Sequence, residues 1–267
     1  MNETKWTAAR LRALKGHEKI VCLTAYDYAS ARILDEAGLH LILVGDSLAM
    51  VMLGYATTLP VTMEEMLHHC AAVARGTRRA LVVADMPFMS YQVSAAQALE
   101  NAGRFLKQAG ADAVKIEGGA FRAPVITALV ANGIPVLGHI GLTPQSIREM
   151  GGYKVQGRRP EEAERLLEDA RALDAAGVFA IVLECVPQEL GAELTAAVRV
   201  PTIGIGAGAA CDGQILVSHD LLGLTSGTPP RFVKRYADLG TEARRAVEAY
   251  RDDVAAGRFP DDEHTYR

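Results

Sequence analysis

Eight short apolar runs, rich in Val, Ile and Leu, recur along the chain, and they constrain its fold more than any other feature. Most of them show no alternation of apolar and polar residues, which is typical of parallel strands that are covered on both faces. The segments between several of the runs have the apolar spacing of helices. The runs occupy residues 20–23, 41–44, 81–84, 113–116, 135–137, 180–183, 202–205 and 215–217.

The predicted helices have recognisable ends. Thr62 and Glu65 form a capping-box pattern, Ser94 and Gln97 form a second one, and Pro160 stands where a first helical residue would. Strands and helices that alternate eight times in 267 residues favour a single (β/α)8 TIM barrel over an open doubly wound sheet. Because no linker rich in Pro, Ser and Gly divides the chain, we assign all 267 residues to one barrel domain, with an N-terminal helix and a C-terminal helical extension.

The composition excludes several classes of protein. Apolar residues make up 49% of the chain and charged residues 22%, which is typical of a folded domain and not of a disordered chain. The net charge of −4 and the absence of a long basic block argue against a nucleic-acid partner. The longest stretch free of polar residues, 48–56, falls far short of the roughly 20 residues that cross a bilayer, so we expect no membrane span.

The amino terminus and the cysteines indicate the cellular compartment in which we expect the protein to function. Residues 1–16 carry Arg10, Arg12 and Lys15 at helical spacing and lack an apolar signal core, so we expect a short surface helix of the mature protein. No C-x-x-C pair occurs among the cysteines, which we expect to be mostly buried free thiols in a reducing cytoplasm. They are Cys22, Cys70, Cys185 and Cys211.

Ionisable side chains stand at or just after the ends of the first six runs. In a (β/α)8 barrel these positions face a common cup, where catalytic groups gather. One such residue alone is more simply explained as a helix N-cap or a solvated charge. Six together predict a functional site at this end of the barrel, and they are Asp27, Asp46, Asp85, Glu117, His139 and Glu184.

Three of the acids, Asp46, Asp85 and Glu117, follow neighbouring strands and are expected to approach one point. Three carboxylates would repel one another there unless a cation lay between them. A set of oxygen ligands without His or Cys favours Mg²⁺ over Zn²⁺. We expect the two aspartates to bind the metal directly, whereas Glu117 binds it either directly or through water.

The other polar residues of the cup suit a substrate and a base. Lys115 lies two residues before Glu117 on one strand and so projects to the same face, where it could hold a substrate carboxylate or form a structural ion pair. His139, among small neighbours, is either a substrate contact or a core histidine. Glu184 follows an apolar strand and is our candidate general base.

A glycine-rich segment follows the seventh run, at residues 204–208. Barrels often bind phosphate after strands seven and eight, so this segment could be a phosphate cradle. The glycines could equally let the backbone pass close to another ligand or loop.

Several ordered motifs of the sequence resemble those of the 3-methyl-2-oxobutanoate hydroxymethyltransferases, also called ketopantoate hydroxymethyltransferases. The resemblance runs from about residue 5 to the end of the chain. The motifs are Leu23-Thr24-Ala25-Tyr26-Asp27, Val44-Gly45-Asp46-Ser47-Leu48, the segment 58–62, Val114-Lys115-Ile116-Glu117-Gly118-Gly119, Gly138-His139-Ile140-Gly141-Leu142-Thr143-Pro144-Gln145, and the segments 151–158, 204–208 and 231–236.

This resemblance implies a function. A member of the family moves the one-carbon unit of 5,10-methylenetetrahydrofolate onto 3-methyl-2-oxobutanoate and forms 2-dehydropantoate, on the route to pantothenate and coenzyme A. It also implies Mg²⁺ as cofactor and a cytoplasmic homo-oligomer, expected to be a homodecamer. By position, Asp46, Asp85 and Glu117 match the metal-site acids, Ser47 and Lys115 match substrate-binding positions, and Glu184 matches the proton acceptor.

The residues fit this chemistry. A metal that binds the carboxylate and keto oxygens of the oxo acid would stabilise an enolate, so that a carboxylate can remove the C3 proton. Lys115 and His139 would hold the oxo acid, in contact with Asp46 and Asp85, and the segment 151–158 would cover the site or meet the folate. Three alternatives are a lyase or mutase acting on phosphoenolpyruvate-like acids, a flavin or sugar-phosphate barrel, and a non-catalytic scaffold.

Overall fold

The centre of the protein, in a computed structural model that describes residues 4–225 and 227–267, is a closed barrel of eight strands. Each strand pairs in parallel with the next one along the chain, and the eighth pairs with the first. The predicted (β/α)8 barrel is confirmed. The strands are β1 (Ile20–Thr24), β2 (Leu41–Val44), β3 (Leu81–Asp85), β4 (Ala113–Glu117), β5 (Val136–Gly141), β6 (Ala180–Glu184), β7 (Thr202–Ile205) and β8 (Gly213–Leu216).

The strands are apolar on both faces because both faces are covered. Side chains such as Leu43 and Val83 belong to a buried cluster inside the barrel, whereas Val44 and Ile116 belong to a larger cluster shared with the surrounding helices. Burial on both faces explains why the sequence lacks the alternation of a half-exposed sheet.

The observed ends of the strands place the polar residues more exactly than the apolar runs did. Asp85, Glu117 and Glu184 are the last residues of their strands. Strand β5 continues to Gly141, well beyond the predicted end at residue 137, so His139 lies within a strand and pairs with Glu117. The prediction stopped too early because glycines and a histidine interrupt the apolar run.

Helices alternate with the strands along the chain, as predicted. Thr62 and Glu65 form both hydrogen bonds of a capping box, and Pro160 begins its helix, as predicted. Ser94 caps its helix alone, because the side chain of Gln97 accepts from Val93 N instead. The helices are α1 (Ala8–Arg12), α2 (Tyr28–Glu36), α3 (Leu48–Val51), α4 (Met63–Gly76), α5 (Ala95–Ala109), α6 (Ala123–Ala131), α7 (Ile147–Met150), α8 (Pro160–Ala176) and α9 (Gln188–Ala197), with single 3₁₀ turns at Ala120–Arg122 and Pro144–Ser146.

The N-terminal helix differs from the prediction of a surface helix over residues 1–16. The first three of those residues lie outside the described part, and α1 covers only Ala8–Arg12. Leu11 is 1% exposed and belongs to the cluster inside the barrel, together with the first residues of β1 and β3. The helix therefore packs Leu11 against the amino ends of the strands, because an apolar side chain at that position gains from burial.

The chain divides into two compact units, one that ends at Val217 and one that begins at Ser218. The second contains α10 (Ser218–Leu221), α11 (Leu239–Ala255) and a 3₁₀ turn at Asp262–His264, which is the predicted helical extension. The assignment of the whole chain to one domain stays a prediction. Within residues 4–225 and 227–267, no helix is long and apolar enough to cross a membrane. All four cysteines are free thiols, and three of them are buried.

Candidate active site

The carboxyl ends of β2 to β6 bring together the polar residues that the sequence predicted. Asp46, Asp85, Lys115, Glu117 and His139 are all at most 4% exposed. Glu184 stands at the end of β6 with a side chain that is 15% exposed. Asp27 does not join them, because its carboxylate caps α2 by accepting from Ser30 N.

Lys115 is the cation at the centre of the acids. Its Nζ lies 2.6 Å from Asp85 Oδ2 and 3.7 Å from Glu117 Oε1. Strand register explains both contacts: Lys115 pairs with Asp85 across β3 and β4, and it alternates with Glu117 along β4. Burial lowers the pKa of Lys115, but Asp85, Glu117 and Asp46 outweigh burial and raise it above its ordinary value. Lys115 is therefore an ammonium ion in the site.

The two aspartates are crowded by negative charge. Burial, and then the nearby carboxylates of Asp85 and Glu117, raise the pKa of Asp46 well above its ordinary value. Burial is also the main cause that raises the pKa of Asp85, against the opposing effect of Lys115. Asp46 N donates to Asp85 Oδ2 at 3.3 Å, whereas Asp85 Oδ1 is buried with no hydrogen-bond partner in the described part of the chain. Lys115 alone does not neutralise the three carboxylates of this cluster.

His139 connects the acid cluster to the candidate base. Its Nδ1 lies 3.3 Å from Glu117 Oε1 and its Nε2 lies 3.2 Å from Glu184 Oε2. Burial and Lys115 lower the pKa of His139, but the two carboxylates outweigh them and raise it to about 9. A pKa raised in this way favours the imidazolium form of His139 at neutral pH, between the carboxylates of Glu117 and Glu184.

Gly141 lets β5 and β6 approach where Glu184 stands. Its φ is +94°, and a Cβ there would lie 2.3 Å from the carbonyl oxygen of Glu184. That oxygen accepts a hydrogen bond from Leu142 N at 2.8 Å. A larger residue at position 141 would therefore push the backbone of Glu184 out of place.

Ser47 lies at the start of α3, directly after Asp46. Its Oγ forms a hydrogen bond of 2.8 Å with the hydroxyl of Tyr26, which is buried at the end of β1. Ser47 is half-buried, and its position beside Asp46 is where the resemblance expects a substrate contact.

Gln145 and Tyr91 are two buried residues of the site that the sequence analysis did not single out as site residues. Gln145 Nε2 donates to Asp46 Oδ2 at 3.0 Å, and its backbone N donates to Glu117 Oε2 at 3.0 Å. The hydroxyl of Tyr91 donates to Gln145 Oε1 at 2.7 Å. Tyr91 lies in a loop and Gln145 in a 3₁₀ turn, where no periodic signal marks a residue. For Gln145, its place in the motif 138–145 is the signal that could have drawn attention to it.

The glycine-rich segment 204–208 packs closely against the neighbouring helix. A Cβ on Gly208, which has a φ of +87°, would lie 2.7 Å from Gln188 Cβ. A Cβ on Gly191 of α9 would lie 2.1 Å from the carbonyl oxygen of Ala207. Close backbone approach therefore accounts for Gly208 and Gly191.

The segment 151–158 lies beside the acids. Gln156 N donates to the carbonyl oxygen of Cys185, the residue after Glu184, at 2.8 Å. The hydroxyl of Tyr153 lies 3.7 Å from Met50 Sδ. Partial burial, and then the carboxylates of Glu184, Asp46 and Glu117, raise the pKa of Tyr153, so its side chain lies within electrostatic range of the cluster.

A cavity of about 420 Å³ adjoins the site. Glu117 and Gln145 form part of its wall, and the guanidinium of Arg122 lies 5.3 Å from the ring centre of Tyr91 and 4.9 Å from that of Phe121. The same wall includes Phe88, Gln92 and Arg148. The cavity thus combines aromatic faces with cationic side chains.

In the part of the chain that the structure describes, no group of three or more His, Cys, Asp or Glu residues is arranged so that it could hold a metal ion. The fold and the site define an α/β-barrel protein with buried carboxylates, a buried lysine and a histidine cation at the carboxyl ends of its strands. Residues 5–262 match the family described as ketopantoate hydroxymethyltransferase. The chain belongs to this family.

Two relatives agree with that assignment, and two solved structures share the fold. The 3-methyl-2-oxobutanoate hydroxymethyltransferase of Nitratidesulfovibrio vulgaris (strain DP4) is 58% identical, over 97% of this chain and 85% of that protein. The enzyme of the same name from Moorella thermoacetica is 56% identical, over 98% and 97%. A solved structure of a 2,3-dimethylmalate lyase matches with a TM-score of 0.62 at 17% identity, and the match covers 97% of this chain and 91% of that one. A phosphoenolpyruvate phosphomutase from Streptomyces platensis subsp. rosaceus matches with a TM-score of 0.61 at 17% identity, and this match covers 94% of this chain and 88% of that one. At this identity these two structures show the fold alone.

Proposed function

We propose that this protein transfers the one-carbon unit of 5,10-methylenetetrahydrofolate to 3-methyl-2-oxobutanoate and forms 2-dehydropantoate, a step of pantothenate and coenzyme A biosynthesis. Membership of the family supports the hydroxymethyl transfer and the oxo-acid acceptor. The observation that carries the mechanism is the row of charges from Glu184 through His139 to the Asp46–Asp85–Lys115 cluster. It supports the proposal of Glu184 as a base beside a strongly polar binding site.

Mg²⁺ fits the acids of this site. Asp46 and Asp85 would hold the ion, because both are crowded carboxylates and Asp85 Oδ1 has no hydrogen-bond partner among the described residues. Glu117 would bind the ion either directly or through water: its Oε2 accepts from Gln145 N, whereas its Oε1, which faces His139 and Lys115, has no hydrogen bond among the described residues. Two carboxylates suffice, because Mg²⁺ usually keeps several waters and substrate oxygens around it. When bound, the ion would offset negative charge on the oxo acid as its proton leaves.

Lys115 would bind and orient the oxo acid. An ammonium group has three donors, and the contact with Asp85 occupies one of them while Glu117 lies near a second. The remaining donor can bind the substrate carboxylate, for which Ser47 Oγ is a second candidate donor. These contacts would hold the C3 hydrogen in a fixed direction before it is removed.

Glu184 would remove the C3 proton. Its side chain is 15% exposed, so a substrate in the cup can reach it, and His139 Nε2, 3.2 Å from Glu184 Oε2, would stabilise the carboxylate form that takes up the proton. Water would release the one-carbon unit from the two folate nitrogens as formaldehyde, and those nitrogens, now protonated, would leave as tetrahydrofolate. The C3–H electron pair would then form the new bond to the formaldehyde carbon, and the formaldehyde oxygen would take up the proton held on the Glu184 carboxyl and become the product hydroxyl.

The 420 Å³ cavity beside Glu117 suits the folate donor. Folate has a flat aromatic ring and a glutamate tail with carboxylates, which match aromatic faces and arginine side chains. Arg122 lies against two of the cavity's rings, and Arg148 is exposed in the same wall. Tyr153 and the rest of the segment 151–158 would cover the reacting groups.

Proton abstraction can be tested apart from one-carbon transfer, because it needs the oxo acid, the ion and the base but no folate. In D₂O with Mg²⁺ alone, we expect the protein to exchange the C3 hydrogen of 3-methyl-2-oxobutanoate, as followed by NMR. Glu184→Gln keeps the shape and removes the base, so exchange and transfer should fall together by roughly 10²–10⁴-fold while the oxo acid still binds.

Glu189→Gln is the matched control, because Glu189 is an exposed residue at the start of α9. It should exchange like the unmodified protein. Full exchange by Glu184→Gln would assign the base elsewhere, with His139 the next residue to test. Absence of exchange in the unmodified protein would mean that folate must bind first.

A further inference from the structure

Gln145 connects the segments that follow three strands of the site. Its side chain sits in the 3₁₀ turn after β5 and is 5% exposed. Its Nε2 donates to Asp46 Oδ2, after β2, at 3.0 Å and to the carbonyl oxygen of Met86, after β3, at 2.9 Å. Its backbone N donates to Glu117 Oε2, at the end of β4, at 3.0 Å.

The amide of Gln145 has one possible orientation. Met86 offers a carbonyl oxygen, which can only accept, so Nε2 must face it. Gln92 Nε2, which can only donate, lies 3.3 Å from Oε1, so the oxygen must face that side. Both amide hydrogens are used, and Oε1 accepts from two donors. A side chain with all its hydrogen bonds made in one arrangement cannot turn without losing several of them.

Tyr91 holds the other end of this amide. Its ring is buried, and its hydroxyl donates to Gln145 Oε1 at 2.7 Å while accepting from Glu117 N at 3.3 Å. The hydroxyl therefore joins Gln145 to the backbone of β4. A chain of hydrogen bonds thus runs from β4 through Tyr91 and Gln145 to Asp46.

We infer that Gln145 is a positioning residue that fixes which oxygen of Asp46 is directed at the substrate site, and that Tyr91 holds Gln145 in place. The inference rests on the proposed Mg²⁺ function of Asp46. Because Gln145 Nε2 donates a hydrogen bond to Asp46 Oδ2, the carboxylate of Asp46 cannot rotate freely. A cation would therefore bind a carboxylate that is already oriented, and less binding free energy would be spent on ordering that side chain.

The test is the affinity for a divalent cation, measured without turnover. We would titrate Mg²⁺ by calorimetry, and Mn²⁺ by electron paramagnetic resonance, into the metal-stripped full-length protein. Gln145→Met keeps a similar side-chain length and removes the amide. We expect its affinity for either ion to fall about 10–100-fold, as is typical when a group that orients a metal ligand is lost. Saturating Mg²⁺ should then restore most of kcat.

Gln97→Met is the matched control. Gln97 Nε2 donates to the carbonyl oxygen of Met89, so it also ties down the segment after β3, but it has no hydrogen bond to Asp46 or Glu117. Its cation affinity should equal that of the unmodified protein. A loss as large as that in Gln145→Met would show that loosening of the segment explains the effect, and would overturn the inference.

A second variant decides the matter if Gln145→Met does not fold. Tyr91→Phe removes only a hydroxyl, and the loss of one hydrogen bond should weaken cation binding about 2- to 10-fold. If Gln145→Met folds and binds the cations with unchanged affinity, the positioning role of Gln145 is refuted. If Gln145→Met does not fold, unchanged affinity in Tyr91→Phe refutes it. In either case the proposed metal function of Asp46 is not affected. If the unmodified protein binds neither Mg²⁺ nor Mn²⁺, both the proposed metal function of Asp46 and the positioning role of Gln145 are refuted.

Discussion

Replacing Lys115 by Met removes the one lysine among three buried carboxylates. Its Nζ lies 2.6 Å from Asp85 Oδ2 and 3.7 Å from Glu117 Oε1, and all three side chains are at most 5% exposed. Met has a similar length and keeps the apolar contacts of the lysine stem. The variant therefore tests the charge of Lys115 more than its packing.

The expected cost follows from these distances. At an effective dielectric constant of about 20, unit charges 2.6 Å apart attract by roughly 6 kcal/mol and those 3.7 Å apart by roughly 4.5 kcal/mol. Desolvation of the ammonium offsets much of this, and removing one partner of a buried pair typically costs about 3–5 kcal/mol. We expect Lys115→Met to lower the free energy of unfolding by about that amount, which corresponds to a Tm lower by about 6–20 °C for a domain of this size.

The assay is thermal and urea unfolding in EDTA, with Lys5→Met as control. Lys5 Nζ lies 2.7 Å from Asp112 Oδ1, which is nearly the same distance, but these side chains are 42% and 27% exposed. Solvent-exposed pairs contribute about 0–1 kcal/mol, so Lys5→Met should stay close to the unmodified protein. Equal unfolding free energies for the two variants would refute the argument that burial makes the Lys115 contacts strong.

Three further predictions concern the metal site, the scaffold and the assembly. Asp85→Asn should weaken binding of Mg²⁺ and of the oxo acid together with the fold intact, and calorimetry showing unchanged Mg²⁺ affinity would contradict the assignment. Asp35→Ala should lower the free energy of unfolding by about 2–4 kcal/mol, because the Asp35 carboxylate accepts hydrogen bonds from three backbone N–H groups. These are the N–H groups of Arg78, Arg79 and Ala80, at 2.7–3.0 Å. Binding of the oxo acid should persist, and an unfolding midpoint like that of the unmodified protein would count against this account. Light scattering should give a mass about ten times that of the chain, and a monomer mass at micromolar concentration would argue against the proposed homodecamer.

The order of strands and the end of the barrel that holds the site could be read from local pattern. Apolar runs without alternation indicate parallel strands, and alternation along a strand places Lys115 and Glu117 on one face. Because parallel strands end at the same rim, acids that follow them are expected to approach one another there. In the structure Asp46 and Asp85 are hydrogen-bonded, Lys115 lies between Asp85 and Glu117, and Glu184 is near this cluster through His139.

Prediction from local sequence pattern failed in segments that lack the hydrophobic periodicity of a strand or a helix. The glycines and the histidine of β5 interrupted its apolar run, so the predicted end at residue 137 fell short of the observed end at Gly141. Asp27 has the same sequence context as the true site acids, yet it caps a helix. Whether an acid at a strand end turns into the cup or back to its own helix depends on the loop that follows.

The sequence by itself determined the architecture and the kinds of charged groups at the rim, because strand and helix periods are properties of neighbouring residues. Only the tertiary structure decided how those charges are paired. Lys115 meets Asp85 because β3 and β4 pair in a register that sets these two residues side by side, and the pKa of His139 is raised because Glu117 and Glu184 reach it from two other strands. Gln145 joins Asp46 across 99 positions of sequence. Hydrogen bonds and ion pairs act over a few ångströms, so they depend on three-dimensional distances that no local pattern contains.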